Sequence, residues 1–118
     1  MDKKKKILIC DDEEGVRESL NLILEEDYNL DFAKTGDEAI EKIRSGDYDG
    51  LLLDIKMPVK DGLDTLQEIR EISPEMKVII VTGYQSVETA SKAVKLGAMD
   101  YITKPFESME VKEKVGKI

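Results

Sequence analysis

Residues 51–62 read LLLDIKMPVKDG, and this stretch decides the fold. Three consecutive leucines that lead into a charged residue, Asp54, are typical of a strand buried on both faces of a sheet. Two further apolar runs also end on charged residues. These runs are residues 7–10, which lead into Asp11 and Asp12, and residues 101–103, which lead into Lys104. A buried strand has no structural use for such residues, so the pattern predicts one reactive site assembled from the ends of several strands.

Five strand-like runs alternate with helical patterns along the 118 residues. This alternation predicts an α/β fold with a flavodoxin-like (βα)5 doubly wound parallel sheet. In the second run, Leu30 and Phe32 alternate with polar residues, as expected for an edge strand, which favours the strand order 2-1-3-4-5. We expect residues 1–118 to form a single domain.

The predicted helices each have one apolar face. The first covers roughly residues 13–26, and Thr35 with Glu38 forms a capping-box pattern at the start of the second. Asp61 is the predicted N-cap of the third, and Gly97 is predicted to end the fourth in a left-handed conformation. The apolar face of the fourth helix is predicted to be Val87, Ala90, Ala93, Val94 and Leu96, and that of the last helix Val111, Val115 and Ile118.

Composition excludes several classes of function. The net charge of −8 disfavours nonspecific attraction to nucleic acids or anionic membranes, and the basic run at residues 3–6 is short. We expect no direct nucleic-acid binding, no membrane association and a cytoplasmic location. The lone Cys10 lies inside an apolar run and is predicted to be a small buried hydrophobe. Because the chain has one cysteine and no histidine, a bound metal would need oxygen ligands.

In the predicted sheet, Asp11, Asp12 and Asp54 meet at the switch point between strands one and three. A single aspartate there is explained by capping alone, with Asp12 as an N-cap. Three carboxylates repel one another, so at least one pKa should be raised unless a cation such as Mg²⁺ is bound. With Thr82 and Lys104 at two other strand ends, the site contains the groups needed to stabilise a transferring phosphoryl group.

The sequence resembles the receiver domain of two-component response regulators. The resemblance rests on the same residues together with Tyr101 and Pro105, and on the motifs CDDE, LLLDIKMPVKDG, VTGYQ and GAMDYITKPF. The resemblance covers essentially the whole chain. The last motif is most similar to receivers of the nitrogen-regulator class of transcription factors.

The resemblance implies that Asp54 accepts a phosphoryl group from the phosphohistidine of a sensor histidine kinase. It implies that Mg²⁺ is held by Asp11, Asp12, Asp54 and the backbone carbonyl of Lys56. The domain would then catalyse only its own phosphorylation and dephosphorylation. It would not act as an enzyme on other substrates.

Three further roles follow from the resemblance. Lys104 would pair with a phosphoryl oxygen, with the Lys104–Pro105 peptide bond in the cis form. The Thr82 hydroxyl would bind the phosphoryl group, and Tyr101 would then rotate from an exposed to a buried position. This switch would change the surface formed by helix four, strand five and helix five.

The resemblance also implies a kinase-docking surface formed by Gly15, Glu18, Ser19, Pro105 and Phe106. The expected partners are a sensor histidine kinase and a downstream effector domain or protein. The receiver is expected to be a stand-alone protein or part of a longer regulator, and either a monomer or a dimer that forms on phosphorylation.

Two alternatives remain open at this stage. An Mg²⁺-dependent aspartate-nucleophile phosphohydrolase would share the fold class, but it needs a second aspartate two residues after the nucleophile, where this chain has Lys56. The other alternative is a receiver-like interaction module that is not phosphorylated. The intact set of site residues argues against it.

Overall fold

A computed structural model describes residues 4–55, 62–83 and 87–118 of the chain. The predicted metal ligand Lys56 and the predicted N-cap Asp61 lie outside these ranges. Within them, no helix is long and apolar enough to cross a membrane.

Strands and helices alternate along the chain. The strands are β1 (Lys6–Cys10), β2 (Asn29–Ala33), β3 (Gly50–Leu53), β4 (Lys77–Thr82) and β5 (Asp100–Thr103). The helices are α1 (Glu14–Leu24), α2 (Gly36–Ser45), α3 (Gly62–Ile72), α4 (Val87–Lys95) and α5 (Ser108–Val115).

All paired strands are parallel, and their order is β2-β1-β3-β4-β5, which confirms the predicted topology. The edge strand β2 is only partly buried, whereas all four residues of β3 are buried. The central position of β3 explains why its sequence is a continuous apolar run. Asp54 therefore follows the most enclosed strand of the sheet.

A hydrophobic cluster covers each face of the sheet, because successive side chains of a strand point to opposite faces. Leu8 and Cys10 of β1 belong to the cluster beneath α2, α3 and α4, whereas Ile7 and Ile9 belong to the cluster beneath α1 and α5. The helices therefore form a layer on each face of the sheet. Because the paired strands are parallel, their carboxyl ends lie at the same edge of the sheet.

Two predicted apolar faces were partly wrong. Val94 is 68% exposed, because α4 contacts the sheet through the buried Ala93, and Val94 lies about 100° around the helix from it. Helix α5 ends at Val115, so Ile118 lies beyond the helix, although it is 3% exposed and packs in the same cluster. A Cβ atom at Gly50 would lie 2.7 Å from Cδ1 of Ile118, so a larger residue there would displace the Ile118 side chain.

Two predicted helix ends agree with the structure. Thr35 is the N-cap of α2 and accepts a hydrogen bond from the Glu38 amide at 3.1 Å. The Glu38 carboxylate accepts in return from the amide of Lys34 at 2.6 Å, one residue earlier than a standard capping box requires. Gly97 follows α4 with a φ of +86°, the left-handed conformation that favours glycine.

Candidate phosphoryl-acceptor site

The backbone hydrogen bonds of the sheet continue past the strand ends and place three charged residues. The Asp11 amide donates to the Ala33 carbonyl at 3.0 Å, and the Asp54 amide donates to the Cys10 carbonyl at 3.0 Å. The Lys104 amide donates to the carbonyl of Thr82, also at 3.0 Å. The three side chains are therefore held by the sheet itself at its carboxyl edge.

Lys104 joins the carboxylates into one ionic cluster. Its Nζ atom lies 2.8 Å from Oδ2 of Asp11, 3.2 Å from Oδ2 of Asp54 and 3.5 Å from Oε1 of Glu13. The Asp11 and Asp54 side chains are only 2% and 4% exposed, whereas that of Glu13 is 64% exposed. The peptide bond between Lys104 and Pro105 is cis, as the resemblance implied.

Asp12 and Glu13 complete an acidic group with Asp11 and Asp54. One carboxylate oxygen from each of the four residues lies within 4.8 Å of the other three. The predictions did not include Glu13, although it directly follows the two aspartates in the motif CDDE. Its position next to an aspartate pair was the only sequence signal that Glu13 belongs to the site. An exposed glutamate at the start of a helix is common and does not by itself indicate a functional role.

Capping does not account for these carboxylates. The N-cap of α1 is Glu13 rather than Asp12, and its side chain makes no capping hydrogen bond. Instead, Oδ1 of Asp11 accepts the Glu13 amide at 2.9 Å, and the Asp11 carbonyl accepts from the Arg17 guanidinium at 2.7 Å. Asp11 therefore orients the start of α1 and also contacts Lys104.

Burial raises the pKa of Asp11 above its ordinary value, and the charge of Asp54 adds to this effect, although Lys104 opposes it. The pKa of Lys104 is also raised, because its contacts with Asp11 and Asp54 outweigh the opposing effect of burial. One carboxyl pKa at the site is therefore raised, as predicted, but burial is the main cause and repulsion between carboxylates the smaller one.

Thr82 is the last residue of β4, and Tyr101 lies on the neighbouring strand β5, two residues before its carboxyl end. Thr82 is 1% exposed, and Tyr101 is half-buried against the cluster beneath α2, α3 and α4. Burial raises the pKa of Tyr101, and the negative charge of Asp54 raises it further.

The lone cysteine is a buried structural residue, as predicted. Cys10 is 1% exposed, and its thiol donates to the Thr35 carbonyl at 3.4 Å. Burial and the nearby carboxylates raise its pKa to about 12. The thiolate form, which is the reactive form of cysteine, is therefore scarce at neutral pH.

The predicted docking residues follow the site residues Asp12 and Lys104 along the chain. Gly15, Glu18 and Ser19 are exposed on α1, and Pro105 is exposed after β5. Phe106 is half-buried and packs against the cluster beneath α1 and α5. The exposed members of this set are therefore small or polar, and Phe106 offers only part of its ring.

Comparison with known proteins identifies the class. Residues 7–116 match the family of the response regulator receiver domain. The chain is 38% identical over 115 residues to the chemotaxis protein CheY of Halobacterium salinarum, which covers 97% of this chain and 96% of that protein. It is 44% identical over 80 residues to the transcriptional regulatory protein ZraR of Escherichia coli, covering 68% of this chain but only 18% of that protein.

A solved structure also matches closely. The response regulator TrrA of Thermotoga maritima, in complex with Mg²⁺-BeF, is 41% identical with a TM-score of 0.86, and the match covers 96% of this chain and 97% of that one.

This chain therefore belongs to the response regulator receiver domain family of two-component systems. Receiver domains are signalling switches that bind Mg²⁺ at an acidic cluster and interact with sensor kinases and effectors.

Proposed function

We propose that this domain is a phospho-accepting switch in which Asp54 takes a phosphoryl group from the phosphohistidine of a sensor histidine kinase. The observation that carries the proposal is the enclosed Asp54 carboxylate, 3.2 Å from the Lys104 ammonium and within an acidic group of four residues. The 41% identical TrrA, which binds Mg²⁺-BeF, supports it. Family membership favours this function over the phosphohydrolase alternative.

The residues present fit a bound Mg²⁺ ion. Four carboxylates gather within 4.8 Å, and the single positive charge of Lys104 does not balance them. All the donors are oxygen atoms, which Mg²⁺ prefers. Asp11, Asp12 and Asp54 would hold the ion together with the backbone carbonyl of Lys56. When bound, the ion neutralises charge on the phosphoryl oxygens.

In the proposed reaction, a carboxylate oxygen of Asp54 attacks the phosphorus atom. An O–P bond forms, the P–N bond to the kinase histidine breaks, and the electron pair of that bond stays on the imidazole nitrogen. The Lys104 ammonium, held beside Asp54 by its contact with Asp11, pairs with a phosphoryl oxygen. A compact ammonium at this distance stabilises the charge of the transferring group without any rearrangement of the sheet.

The proposed output begins at Thr82 and Tyr101. The Thr82 hydroxyl binds the new phosphoryl oxygens, and Tyr101, now half-buried, moves further into the space that this releases. The change reaches the surface formed by α4, β5 and α5, where the large apolar side chains Val94 and Met109 are 68% and 82% exposed. We propose this surface as the binding site for an effector or for a second receiver.

The kinase is proposed to dock on the exposed residues Gly15, Glu18, Ser19 and Pro105, with the partly exposed ring of Phe106 beside them. The proposal is supported by their positions in the chain, because Gly15 lies two residues after Glu13 and Pro105 directly follows Lys104. A sensor kinase takes its phosphoryl group from ATP, so we place the domain in the cytoplasm. The chain spans only 18% of ZraR, and the identity of the effector is part of the proposal.

The test is the intact mass of the protein after incubation with acetyl phosphate, with and without Mg²⁺. Wild type should gain one labile phosphoryl group only when Mg²⁺ is present, and Asp54→Asn should gain none. Asp47→Asn is the matched control, because Asp47 is an exposed aspartate at the opposite end of the sheet. A folded wild type that gains no mass, even with sensor kinases offered as donors, would indicate the interaction module instead.

A further inference from the structure

Glu13 is a charged residue whose position the proposed chemistry leaves unexplained. It occupies the N-cap position of α1, yet its side chain makes no capping hydrogen bond. Its Oε1 atom lies 3.5 Å from Nζ of Lys104, the ammonium that faces Asp54. The carboxylate is therefore directed toward the site and not toward its own helix.

We propose that Glu13 competes with the phosphoryl group for the ammonium of Lys104, and so limits how tightly the site binds phosphoryl-like anions. This inference rests on the proposed function, because it needs an anion bound at Asp54. Glu13 acts through Lys104, so its role is that of a positioning residue.

The three partners of Lys104 differ in how easily they can be displaced. Asp11 and Asp54 are nearly enclosed, and Asp11 is also fixed by its hydrogen bond from the Glu13 amide at 2.9 Å. The Glu13 side chain is 64% exposed and makes the longest of the three contacts. An anion that arrives at Lys104 from the open side of the site would therefore displace the Glu13 carboxylate first.

The negative charge of Glu13 also opposes the binding of an anion at Lys104. The Glu13 carboxylate partly neutralises Lys104, and it also repels an incoming anion at short range. Exposed ion pairs of this kind are worth about 0.2–1 kcal/mol, which corresponds to a change of roughly 1.4- to fivefold in a binding constant. Because Glu13 also belongs to the acidic group, its loss should weaken Mg²⁺ binding slightly, so anion binding must be compared at saturating Mg²⁺.

The experiment titrates beryllofluoride, an analogue of the phosphoryl group, into the full chain at saturating Mg²⁺ and detects the bound anion by ¹⁹F NMR. Glu13→Gln should lower the half-saturating concentration roughly 1.4- to fivefold, and cooperative urea unfolding should show that the variant remains folded. Glu14→Gln is the matched control, since it removes the same charge from the next residue, the first residue of α1. Glu13→Asp, which keeps the charge, should behave more like wild type than like Glu13→Gln.

Equal half-saturation for wild type, Glu13→Gln and Glu14→Gln would overturn the inference while leaving the proposed function intact. Equal tightening by Glu13→Gln and Glu14→Gln would also overturn it, because net charge alone would then explain the effect. If wild type binds no beryllofluoride at saturating Mg²⁺, the proposed function fails, and the inference fails with it.

Discussion

Lys104 and Asp11 form a contact that spans the sheet: their side chains meet at 2.8 Å although β5 and β1 are separated by β4 and β3. The same ammonium lies 3.2 Å from Asp54, which follows the central strand β3. Removing one member of such an enclosed pair leaves the other charge without compensation. The stability of the unliganded domain and the strength of its metal binding should therefore be linked through Lys104.

Replacing Lys104 with methionine should lower the free energy of unfolding in the absence of Mg²⁺, by about 2–4 kcal/mol, because Asp11 and Asp54 lose their shared ammonium. Added Mg²⁺ should then stabilise Lys104→Met more than it stabilises wild type, since the ion supplies the missing positive charge. Urea unfolding with and without Mg²⁺ measures both effects. Lys42→Met is the control, because Lys42 pairs at 3.0 Å with Asp31, away from this site. Equal gains from Mg²⁺ in all three proteins would contradict the prediction.

A second prediction concerns a polar contact outside the site. The Tyr48 hydroxyl donates to Oδ2 of Asp31 at 2.6 Å. Burial opposes ionisation of Asp31, but the hydrogen bonds from Tyr48 and Lys42 outweigh it and hold the pKa of Asp31 below its ordinary 3.8. A lowered carboxyl pKa contributes stability above pH 3.8 that is lost as the pH falls through the folded-state pKa.

Tyr48→Phe should therefore lower the free energy of unfolding by about 1 kcal/mol at neutral pH, and the difference from wild type should narrow as the pH falls below 3.8. The contact with Asp31 and burial raise the pKa of Tyr48 to about 12, so the variant should also lose the tyrosine absorbance change near that pH. Tyr28→Phe, which leaves the Asp31 contact intact, serves as the control. A difference that stays constant at all pH values would refute the link to Asp31.

A third prediction concerns the glycine that begins α3. A Cβ atom at Gly62 would lie 2.4 Å from the carbonyl oxygen of Asp54 and 2.4 Å from Cα of Ile55. Gly62→Ala should therefore displace the backbone next to the acceptor, lower the free energy of unfolding by about 1–3 kcal/mol and slow phosphorylation by acetyl phosphate.

Gly15→Ala is the matched substitution, because a Cβ atom at Gly15 in α1 would meet nothing within 4 Å. It should raise the stability of the protein by up to about 1 kcal/mol through the lower backbone entropy of the unfolded chain. Urea unfolding compares the two variants. If Gly62→Ala is as stable as wild type, the backbone after β3 can move away from the added Cβ atom without loss of stability, and the prediction is wrong.

A fourth prediction separates phosphorylation from switching. Thr82→Val nearly preserves the volume of the buried side chain but removes its hydroxyl, whereas Thr82→Ser keeps the hydroxyl. With beryllofluoride and Mg²⁺, the ring resonances of Tyr101 should shift in wild type and in Thr82→Ser and stay in place in Thr82→Val. Equal shifts in all three proteins would show that Tyr101 responds to the anion without the Thr82 hydroxyl.

Much of this site could be predicted from the sequence because a charged residue at the end of a buried strand is unusual. Asp54 after three leucines and Lys104 after β5 are conspicuous, and the parallel sheet order then brings them together. Glu13 was missed since a glutamate at a helix start has an ordinary explanation, and only the distance to Lys104 sets it apart.

The errors in the fold have a similar cause. Apolar periodicity predicts which residues are able to face the core, but the neighbouring elements decide which of them do. Val94 follows the buried Ala93 on a helix that contacts the sheet through one narrow face, so it remains exposed. Ile118 is buried as predicted, but it lies in the segment after α5 and not on the helix. Its side chain is accommodated in the gap beside Gly50.

The central claim is that Asp54 is the residue that accepts the phosphoryl group, and chemical trapping tests it most directly. The protein is incubated with acetyl phosphate and Mg²⁺, reduced with borohydride, which converts an aspartyl phosphate to homoserine, and mapped by peptide mass spectrometry. We predict homoserine at position 54 and unmodified aspartate at positions 11 and 12. Homoserine at position 11 or 12, or at no position in a protein that has gained phosphoryl mass, would contradict the account.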